Sequence, residues 1–487
     1  MSPSAIALSV IFGIVLVGST AGFIAGTRHK MNLEQWTVGG RGFGLVLVWL
    51  LMAGEVYTTF AFLGASGWAY SRGGPTLYII AYLVLAYAGS FYFLPNIWEV
   101  GKKFSMQTES DYFEKRYGSK LMGAFVALVG VIFIIPYLQL QVTGLGLIVN
   151  VASFNGIDRS TAMAIGMALV AGFVFSSGVR GVAWVSALKD VLMLFAAIFL
   201  GIGIPYAYFG GIGEMFTALA NLNPSHLVMP GSTKNMGHSW YISTVLLTSF
   251  GFYMWPHLFG ATFTAKSGNT LRRNSVIMPL YTISLPLIFF VGFASIMVIP
   301  GLSNGDMSLL TVVQKTYPAW FLGLIGGAGA ITAMVPAAIL TLTASTLFVK
   351  NFYRPVFAPS MTDDQVAKMA KILVVVISAI TLYFAIYSST TLVSLLLLGY
   401  AGVTQFFPGV IFGLYWRRVT LAGVFTGMIV GVATVAFLSL NKMDPFLGLN
   451  AGFFALCVNM AITVVLSLLT PMRANPFDDD AEVVAAK

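Results

Sequence analysis

The chain has 487 residues, of which 58% are hydrophobic and 9% are charged. A soluble domain carries about 25% charged residues, so this composition excludes a soluble globular protein and predicts an integral membrane protein. The formal net charge of +9 is common in nucleic-acid-binding proteins, but a membrane protein acquires such an excess from its cytoplasmic loops.

Thirteen apolar runs of about 20 residues follow one another along the chain, and runs of this length predict membrane-spanning helices. The first run has no charged segment before it and is followed by further runs, which indicates a retained helix rather than a cleaved signal peptide. The predicted spans are residues 5–27, 45–71, 75–98, 121–149, 160–178, 183–209, 239–265, 275–299, 318–349, 369–388, 391–414, 419–439 and 448–470. We therefore expect an all-α polytopic protein with one transmembrane domain, 1–474, and an acidic tail, 475–487.

The lysines and arginines are unevenly divided between the two sides of these spans. The loops of one side and the C-terminal tail hold 20 of the 26, the loops of the other side hold five, and Lys189 falls within a span. Because cytoplasmic loops carry the excess of basic residues, the sequence predicts an N-terminus outside and a C-terminus in the cytoplasm. The net charge then needs no nucleic-acid partner.

Outside the spans the sequence offers little catalytic or cofactor chemistry. It has no second soluble domain, no glycine-rich nucleotide-binding loop and no cluster of metal ligands. Of its four histidines, only His257 lies in a predicted span. We expect a protein that is not an enzyme, has no cofactor or resident metal, and has a small molecule and the lipid bilayer as partners.

Polar residues, glycine and proline interrupt the second and seventh predicted spans. The second contains 53-AGEVYTTFAFLGASGWAY-70 and the seventh contains 248-TSFGFYMWPHLFGATFTAKS-267. Two interrupted hydrophobic segments in corresponding places predict an inverted-repeat transporter, whose substrate site lies where both helices unwind. Ordinary packing and kinking of helices is the alternative explanation.

Four stretches carry recognisable motifs. Residues 108-TESDYFEKRYG-118 are similar to a T-x-x-D-[YF]-x-x-x-R-[YF] segment, and 251-GFYMWPHLFGATFTAKS-267 is similar to a G-Y-F-G-Q-P-H motif, with its Pro-His pair matching. Residues 180-RGVAW-184 resemble the start of a span-six motif, and 407-FPGVIFGLYWRRVTLAGVFTGMIVG-431 resembles a Pro-to-Gly signature that follows a tenth core helix. These are motifs of the sodium/solute symporter family, which the chain resembles over about residues 40–440.

The resemblance implies a fold like that of LeuT, with two inverted five-helix repeats. The repeats would comprise about residues 45–209 and 239–414, with one extra helix before them and two after them. The resemblance also implies secondary active uptake by alternating access across a bacterial inner (cytoplasmic) membrane. A monomer suffices for such transport, and the sequence does not fix the oligomeric state.

Within the family, the sequence of the second span most resembles that of the bacterial monocarboxylate permeases. The likeness lies in its pattern G-E-V-Y-T-T-F-x-F-L-G-A-S-G. It implies lactate, pyruvate or a similar short acid as the imported substrate. An amino acid such as alanine or histidine, or pantothenate, remains open at this point.

The sequence departs from the family pattern at the sodium site. In sodium-coupled members, two adjacent hydroxyls of the ninth span and backbone carbonyls of the second span hold the ion, with help from an aspartate of span six. Here two of these positions lack side-chain oxygens, and Lys189 stands at a glutamine position of the span-six motif. The equivalent residues, which we interpret as a vestigial cation site without resident sodium, are Gly54, Tyr57, Ser186, Val335 and Pro336.

The charges deepest in the predicted spans suggest proton coupling. A carboxylate at the bilayer centre costs about 2.5–3.5 kcal/mol, so Glu55 indicates function. Lys189 would occupy the vacated cation position, and because burial disfavours a charged lysine it can lose a proton during transport. Glu55 would pair with Lys189 or take its proton, and Asp190 stands beside the lysine. Alternatively, Glu55 only caps backbone amides, Lys189 extends to the inner face, and Asp190 pairs with a loop cation.

Hydroxyl, amide and aromatic side chains of spans two, four, seven and eleven are candidates for binding the substrate. Such groups, together with the positive ends of interrupted helices, suit a small anion. His257 could also shuttle protons, although a histidine beside a proline is often only a packed residue. The candidates are Tyr57, Thr58, Thr59, Tyr137, Gln141, Tyr253, Trp255, His257 and Gln405.

Three other classes of function compete with this prediction. A sodium-coupled symporter of an amino acid or pantothenate would need a different set of oxygens for the ion. A transporter-like sensor would have to act through a partner, because no kinase domain is present. A passive channel would need a selectivity filter, which nothing in the sequence resembles.

Overall fold

The computed structural model of the protein describes residues 1–27, 38–231, 236–472 and 476–477, except for the side chains of 25–27, 175–181 and 183. The acidic tail, apart from 476–477, lies outside the described residues. In chain order, the helices are α1 Pro3–Thr27, α2 Leu45–Gly54, α3 Ala65–Ser71, α4 Tyr78–Lys103, α5 Glu109–Tyr117, α6 Lys120–Ala152, α7 Arg159–Phe209, α8 Ile212–Leu222, α9 His238–Gly251, α10 Pro256–Thr262, α11 Gly268–Thr282, α12 Leu285–Val298, α13 Ser308–Thr316, α14 Ala319–Leu347, α15 Arg354–Phe357, α16 Asp363–Tyr387, α17 Leu392–Val403, α18 Phe407–Tyr415, α19 Leu421–Leu440 and α20 Ala451–Leu469.

The helices account for the predicted all-α architecture. Within the described residues there is no strand, and the β pairing is limited to two isolated bridges. Ten helical stretches of this part of the chain are long and apolar enough to cross a membrane. The remaining predicted spans are the two interrupted ones and a shorter apolar stretch, Arg159–Val174. The protein is therefore a multi-pass membrane protein, and the total of thirteen spans stays a prediction.

The predicted spans 160–178 and 183–209 form one helix, α7, rather than two separate helices. A straight helix of 51 residues would be about 76 Å long, because each residue adds 1.5 Å. The two ends of α7 nevertheless lie near the same face. Arg159 acts electrostatically on Asp306, and the Tyr208 hydroxyl bonds to that of Thr316 at 3.0 Å. The chain therefore reverses direction within α7, as two antiparallel spans require.

The centre of the bundle is formed by α14 and α6. In their most apolar stretches 94% of the α14 residues and 67% of the α6 residues are buried, compared with 28% for α1. These two helices and the stretch Leu392–Tyr415, which is 72% buried, contact the interrupted spans, and α1 lies at the periphery. This arrangement keeps the interruptions away from lipid, as unpaired backbone groups require.

The loops define two faces. One face carries the loops 72–77, 153–158, 299–307 and 441–450, and we call it the outer face, following the predicted orientation. The opposite, inner face carries α5. On this face the Arg116 side chain donates to the carbonyl of Gly413 at 2.7 Å, and this bond ties α5 to α18.

Candidate functional site

Both predicted interruptions are present, and each has a local cause. The first lies between α2 and a π-helical turn, Phe60–Gly64, that leads into α3. The second lies between α9 and α10, where Trp255 is extended (φ −67°, ψ 126°) before Pro256. Proline disfavours helical geometry in the residue before it and starts a helix well, so Pro256 ends one half-helix and begins the next.

Lys189 lies against the first interruption. Its ammonium donates to the carbonyl of Gly54 and to that of Tyr57, the second at 3.0 Å. The Lys189 side chain is fully buried, and the nearer oxygen of Asp190 lies 3.5 Å from its nitrogen. A Cβ atom on Gly54 would lie 3.1 Å from both the lysine nitrogen and the Ser186 hydroxyl. Glycine at position 54 therefore lets α7 approach the free carbonyls closely.

The residues at this position do not fit a sodium ion. Two carbonyls that would coordinate it already accept hydrogen bonds from the lysine. Val335 and Pro336 are buried in α14 without side-chain oxygens, and the Ser186 hydroxyl donates to Val182 O at 3.0 Å. Sodium requires several oxygen ligands, as other hard cations do, and the Lys189 nitrogen lies in this position.

Glu55 contacts His257 rather than Lys189. The Glu55 Oε2 atom lies 3.2 Å from His257 Nε2, and both side chains are buried. The Tyr137 hydroxyl donates to the backbone carbonyl of Glu55 at 3.0 Å. A direct Glu55–Lys189 pair is not formed among the described residues, because Glu55 ends α2 on the side that faces α10. The Glu55–His257 contact thus joins the two interruptions to each other.

Glu55 also lies between two cavities. The smaller one, which we call the enclosed cavity, is lined by the residues Glu55, Val56, Phe60, Tyr82, Tyr137, Phe252, Trp255, Leu258, Leu396 and Tyr400. A wider cavity extends from Glu55 and His257 to Gln107 and Thr108 at the inner face. A solute in the enclosed cavity would therefore pass Glu55 and His257 on its way to that face.

The structure brings only some of the predicted substrate residues to these cavities. Tyr137 and Trp255 line the enclosed cavity, and His257 lines the wider one. The Thr59 hydroxyl instead donates to Gln141 Oε1 at 2.8 Å, so these two side chains bind each other. Their role in substrate binding stays a prediction.

The remaining candidates have other surroundings. Tyr57 donates its hydroxyl to the carbonyl of Tyr281, and the Thr58 hydroxyl accepts from Phe60 N at 3.1 Å. Tyr253 packs edge-on against Phe252, with ring centroids 4.8 Å apart, and it lines neither cavity.

Gln405 lines neither cavity, and its role in substrate binding stays a prediction. Its amide donates to Ala401 O at 3.0 Å, and its oxygen accepts from Asn459 Nδ2 at 3.1 Å. Gln405 lies on a 3₁₀ turn, Thr404–Phe406, that follows α17. The tighter turn directs this side chain towards α20 and away from the cavity.

Sequence reasoning missed three tyrosines at the site. Tyr82 and Tyr400 line the enclosed cavity, and Tyr281 packs edge-on against Tyr57, with centroids 4.1 Å apart. They lie on α4, α17 and α11, which are not the interrupted helices. Tyrosines within apolar spans could have pointed to these residues, because the hydroxyl of a buried tyrosine needs a polar partner.

Known families and proteins resemble this chain over most of its length. The sodium:solute symporter family matches residues 36–431. The chain is 45% identical to the uncharacterized symporter YhjB of Bacillus subtilis (strain 168), covering 98% of this chain and 99% of that protein. It is 28% identical to a monocarboxylate transport permease protein of Rhizobium johnstonii, covering 95% and 96%.

A solved structure of a Na⁺-coupled sialic acid symporter, in a substrate-bound outward-open state, has the same fold. It superposes with a TM-score of 0.81 at 18% identity, covering 96% of this chain and 98% of that one. The predicted LeuT-like fold is thereby confirmed. The boundaries of the two repeats stay a prediction.

Proposed function

The chain belongs to the sodium:solute symporter family, and on that basis we propose that it imports a small monocarboxylate of the lactate or pyruvate type together with protons. Transport proceeds by alternating access in a bacterial inner membrane, with the N-terminus outside and the C-terminus in the cytoplasm. The relative from Rhizobium johnstonii, a monocarboxylate transport permease protein, supports the substrate class.

The observation that carries the proton coupling is the position of the Lys189 ammonium. It donates to the two carbonyls, of Gly54 and Tyr57, that the helix interruption leaves without intrahelical partners. A lysine there binds and releases a proton where a sodium-coupled relative would bind and release an ion. Asp190, 3.5 Å away, stabilises the charged form of the lysine. Loss of the proton removes the positive charge that strengthens both hydrogen bonds and so loosens the contact between α7 and α2.

Glu55 supplies a second reason why the substrate should arrive with a proton. Its carboxyl group lines the enclosed cavity, and the lining of that cavity contains no lysine or arginine among the described residues. Two carboxylates that share one small site cannot both be ionised without a large energetic cost. A monocarboxylate therefore binds beside Glu55 only when one proton is bound to the pair. His257 then offers that proton a path towards the wider cavity.

Uptake into proteoliposomes tests this function. Radiolabelled lactate and pyruvate are supplied under a proton gradient or a sodium gradient, applied separately. We compare wild type with Glu55→Gln and Lys189→Ala, and use Glu214→Gln and Lys368→Ala as controls, since these change the same residue types at exposed positions. Proton-driven uptake should persist in wild type and in both controls and should be lost in the two site variants.

Exchange of labelled for unlabelled substrate, without any gradient, separates coupling from folding. A Lys189→Ala protein that still exchanges substrate is folded, so its loss of driven uptake is a loss of coupling. Uptake driven by sodium alone would contradict proton coupling. That result would favour the sodium-coupled alternative, which the Na⁺-coupled structural neighbour makes the natural competitor.

A further inference from the structure

A second cluster of contacts lies on the outer side of the enclosed cavity. The loop 299–307 packs against α3, and a Cβ atom on Gly67 would lie 2.6 Å from an oxygen of Asp306. The other oxygen of Asp306 accepts a hydrogen bond from the backbone N–H of Leu392, at 3.0 Å, where α17 begins. We call Gly67, Leu392, Asp306 and Arg159 the outer cluster. Asp306 contacts α3 and α17, and Arg159 at the start of α7 acts on it electrostatically.

This cluster closes the outer side of the cavity. Leu396, one turn after Leu392, lines the cavity, and so does Phe60, just before α3. A second bond holds the same loop: the Tyr70 hydroxyl donates to Ile299 O at 3.1 Å and accepts from Leu302 N at 2.9 Å. An opening of the cavity between α3 and α17 would separate both helices from this loop.

The carboxyl group of Asp306 is poorly compensated for its burial. Asp306 is only 2% exposed. No lysine or arginine nitrogen of the described residues forms an ion pair with it within 4 Å, and Arg159 acts on it only from a distance. Removing an ionised carboxylate from water without a direct cation or several donors is costly, and binding a proton removes most of that cost.

We propose that Asp306 is a proton-binding site of the outer gate, which holds a proton while α3, the 299–307 loop and α17 are packed together and releases it to water when they separate. Acid on the outer side then favours the closed outer gate, and neutral or alkaline solution favours its opening. The proton enters and leaves on the same side, so this site regulates access and transfers no net charge. The proposal rests on the alternating access described above, but not on the identity of the substrate or coupling ion.

The direction of the effect follows from the two environments of the carboxyl. Burial raises the pKa of Asp306 from its ordinary 3.8 to about 7, although the Leu392 N–H and Arg159 oppose the rise. When the gate is open, water surrounds the carboxyl and its pKa returns towards the ordinary value. Because the closed form binds the proton more tightly, the open fraction increases with pH and levels off above about pH 7.

Other ionisable groups near the cluster are already engaged. Tyr70 on α3 bonds to the loop backbone, and Lys315 on α13 donates to Val298 O at 2.8 Å. Asp158, next to Arg159, is exposed and caps α7 through Thr161. On α17 the ionisable side chain is Tyr400, two turns beyond Leu392. Asp306 is therefore the carboxyl group of this cluster whose environment changes most when the gate opens.

Thiol labelling measures the opening directly. Ser66 is buried on α3 beside Ser308, with the two hydroxyl oxygens 3.4 Å apart, so Ser66→Cys reports separation of α3 from α13. The native exposed Cys457 is replaced by serine in every protein. The full-length protein in nanodiscs is labelled with a charged methanethiosulfonate reagent between pH 5 and 8, without substrate and without sodium. Each rate is divided by the rate of the SDS-unfolded protein at the same pH.

The expected labelling rate rises on the order of fifty-fold from pH 5 to pH 7 and about twofold from pH 7 to pH 8. Asp306→Asn, which carries no titratable group, should label slowly at every pH. Arg159→Gln removes a cation that favours the ionised form, so the rise should continue to higher pH. Asp158→Asn, the same chemical change one residue from Arg159, should behave like its parent.

A rate that does not change with pH in the parent protein would overturn the proposal. So would an Asp306→Asn protein with the pH profile of the parent, or an Asp158→Asn protein that loses the profile. If Asp306→Asn does not fold, Arg159→Gln serves as the test instead. A dependence of its labelling rate on pH that matches the parent would then overturn the proposal. Sodium-driven uptake in the transport assay would end the proton-coupling proposal and leave this test unaffected.

Discussion

Asp111 on the inner face and Asp306 on the outer face each join separate parts of the bundle, but their surroundings differ. Asp111 accepts from Lys350 Nζ at 2.5 Å, from Asn351 Nδ2 at 2.7 Å and from two backbone N–H groups, those of Gln107 and Thr108. Asp306 accepts from one backbone N–H, that of Leu392. The first carboxylate has a direct cation and several donors, whereas the second has one donor and a distant cation.

The two pKa shifts have opposite directions for this reason. Burial by itself raises the pKa of Asp111, but the Lys350 ammonium and the hydrogen bonds outweigh it and hold the pKa below its ordinary value. Burial dominates at Asp306. Asp111 therefore stays ionised over the physiological range and fixes α5 to the end of α14, while Asp306 titrates near neutral pH. The lysine beside Asp111 and its additional hydrogen-bond donors therefore account for the opposite directions of the two pKa shifts.

Of all the variants, Asp306→Asn is expected to change the free energy of unfolding most. At pH 8 this variant should be more stable than wild type by on the order of 4 kcal/mol, because it removes a carboxylate whose pKa is raised in the folded state. The gain should shrink by roughly 2–3 kcal/mol at pH 5, where wild type is protonated. Tryptophan fluorescence during unfolding in detergent measures the stability of both proteins. A variant less stable than wild type at pH 8 would contradict the prediction.

Asp111→Ala should act in the opposite direction. It leaves Lys350, whose side chain is 16% exposed, and two backbone N–H groups without their acceptor, at a cost on the order of 3 kcal/mol at pH 7. A lowered pKa means that Asp111 contributes stability above its unfolded pKa and loses it as pH falls through its folded pKa, so the cost should vanish only in strong acid.

Asp363→Ala is the control for that experiment, because Asp363 pairs with Arg354 and its side chain is 68% exposed. Its effect should stay within about 1 kcal/mol. Equal unfolding midpoints for the two alanine variants would show that Asp111 does not stabilise the contact between α5 and the end of α14.

Arg159→Gln should destabilise the protein by about 1 kcal/mol at pH 8, because a long-range attraction to ionised Asp306 is lost. At pH 5 Asp306 is protonated, so the cost should largely disappear. Combining it with Asp306→Asn measures the coupling between the two residues. A cost that is the same in both backgrounds would mean that Arg159 acts through other contacts.

The smallest effect is expected from Tyr70→Phe. The hydroxyl connects the loop 299–307 to α3 without any charge, so its loss should cost roughly 0.5–1.5 kcal/mol at every pH. Tyr383→Phe, at a position that is 61% exposed, serves as the control. A pH-dependent effect of Tyr70→Phe would mean that a group other than Asp306 also titrates in this pH range.

Much of the fold was predictable because it depends on local patterns. Apolar runs, glycine and proline identified the spans and both interruptions, and Pro256 begins α10 as expected of a proline in that position. The contact of Lys189 with the carbonyls of Gly54 and Tyr57 could be anticipated from the motif position of the lysine. The sequence predicts a break between residues 178 and 183, whereas the backbone stays helical through that stretch, which the length of the apolar runs does not reveal.

Other parts of the site depended on side-chain directions that no motif specifies. Gln405 turns towards Asn459 because a 3₁₀ turn changes its direction. Glu55 contacts His257 rather than Lys189, since the end of α2 faces α10. A one-dimensional pattern gives the depth of a residue in a span but not its rotation at a break in the helix.

The sequence alone identifies a helical membrane protein with two interrupted spans, and it predicts a lysine beside the first interruption. These features follow from composition, length of apolar runs and residue type, which act locally. Which carboxylates have cations beside them depends on the packing of distant parts of the chain. Asp111 and Asp306 are both aspartates, and their pKa values shift in opposite directions because packing brings Lys350 to one of them and a single backbone N–H to the other.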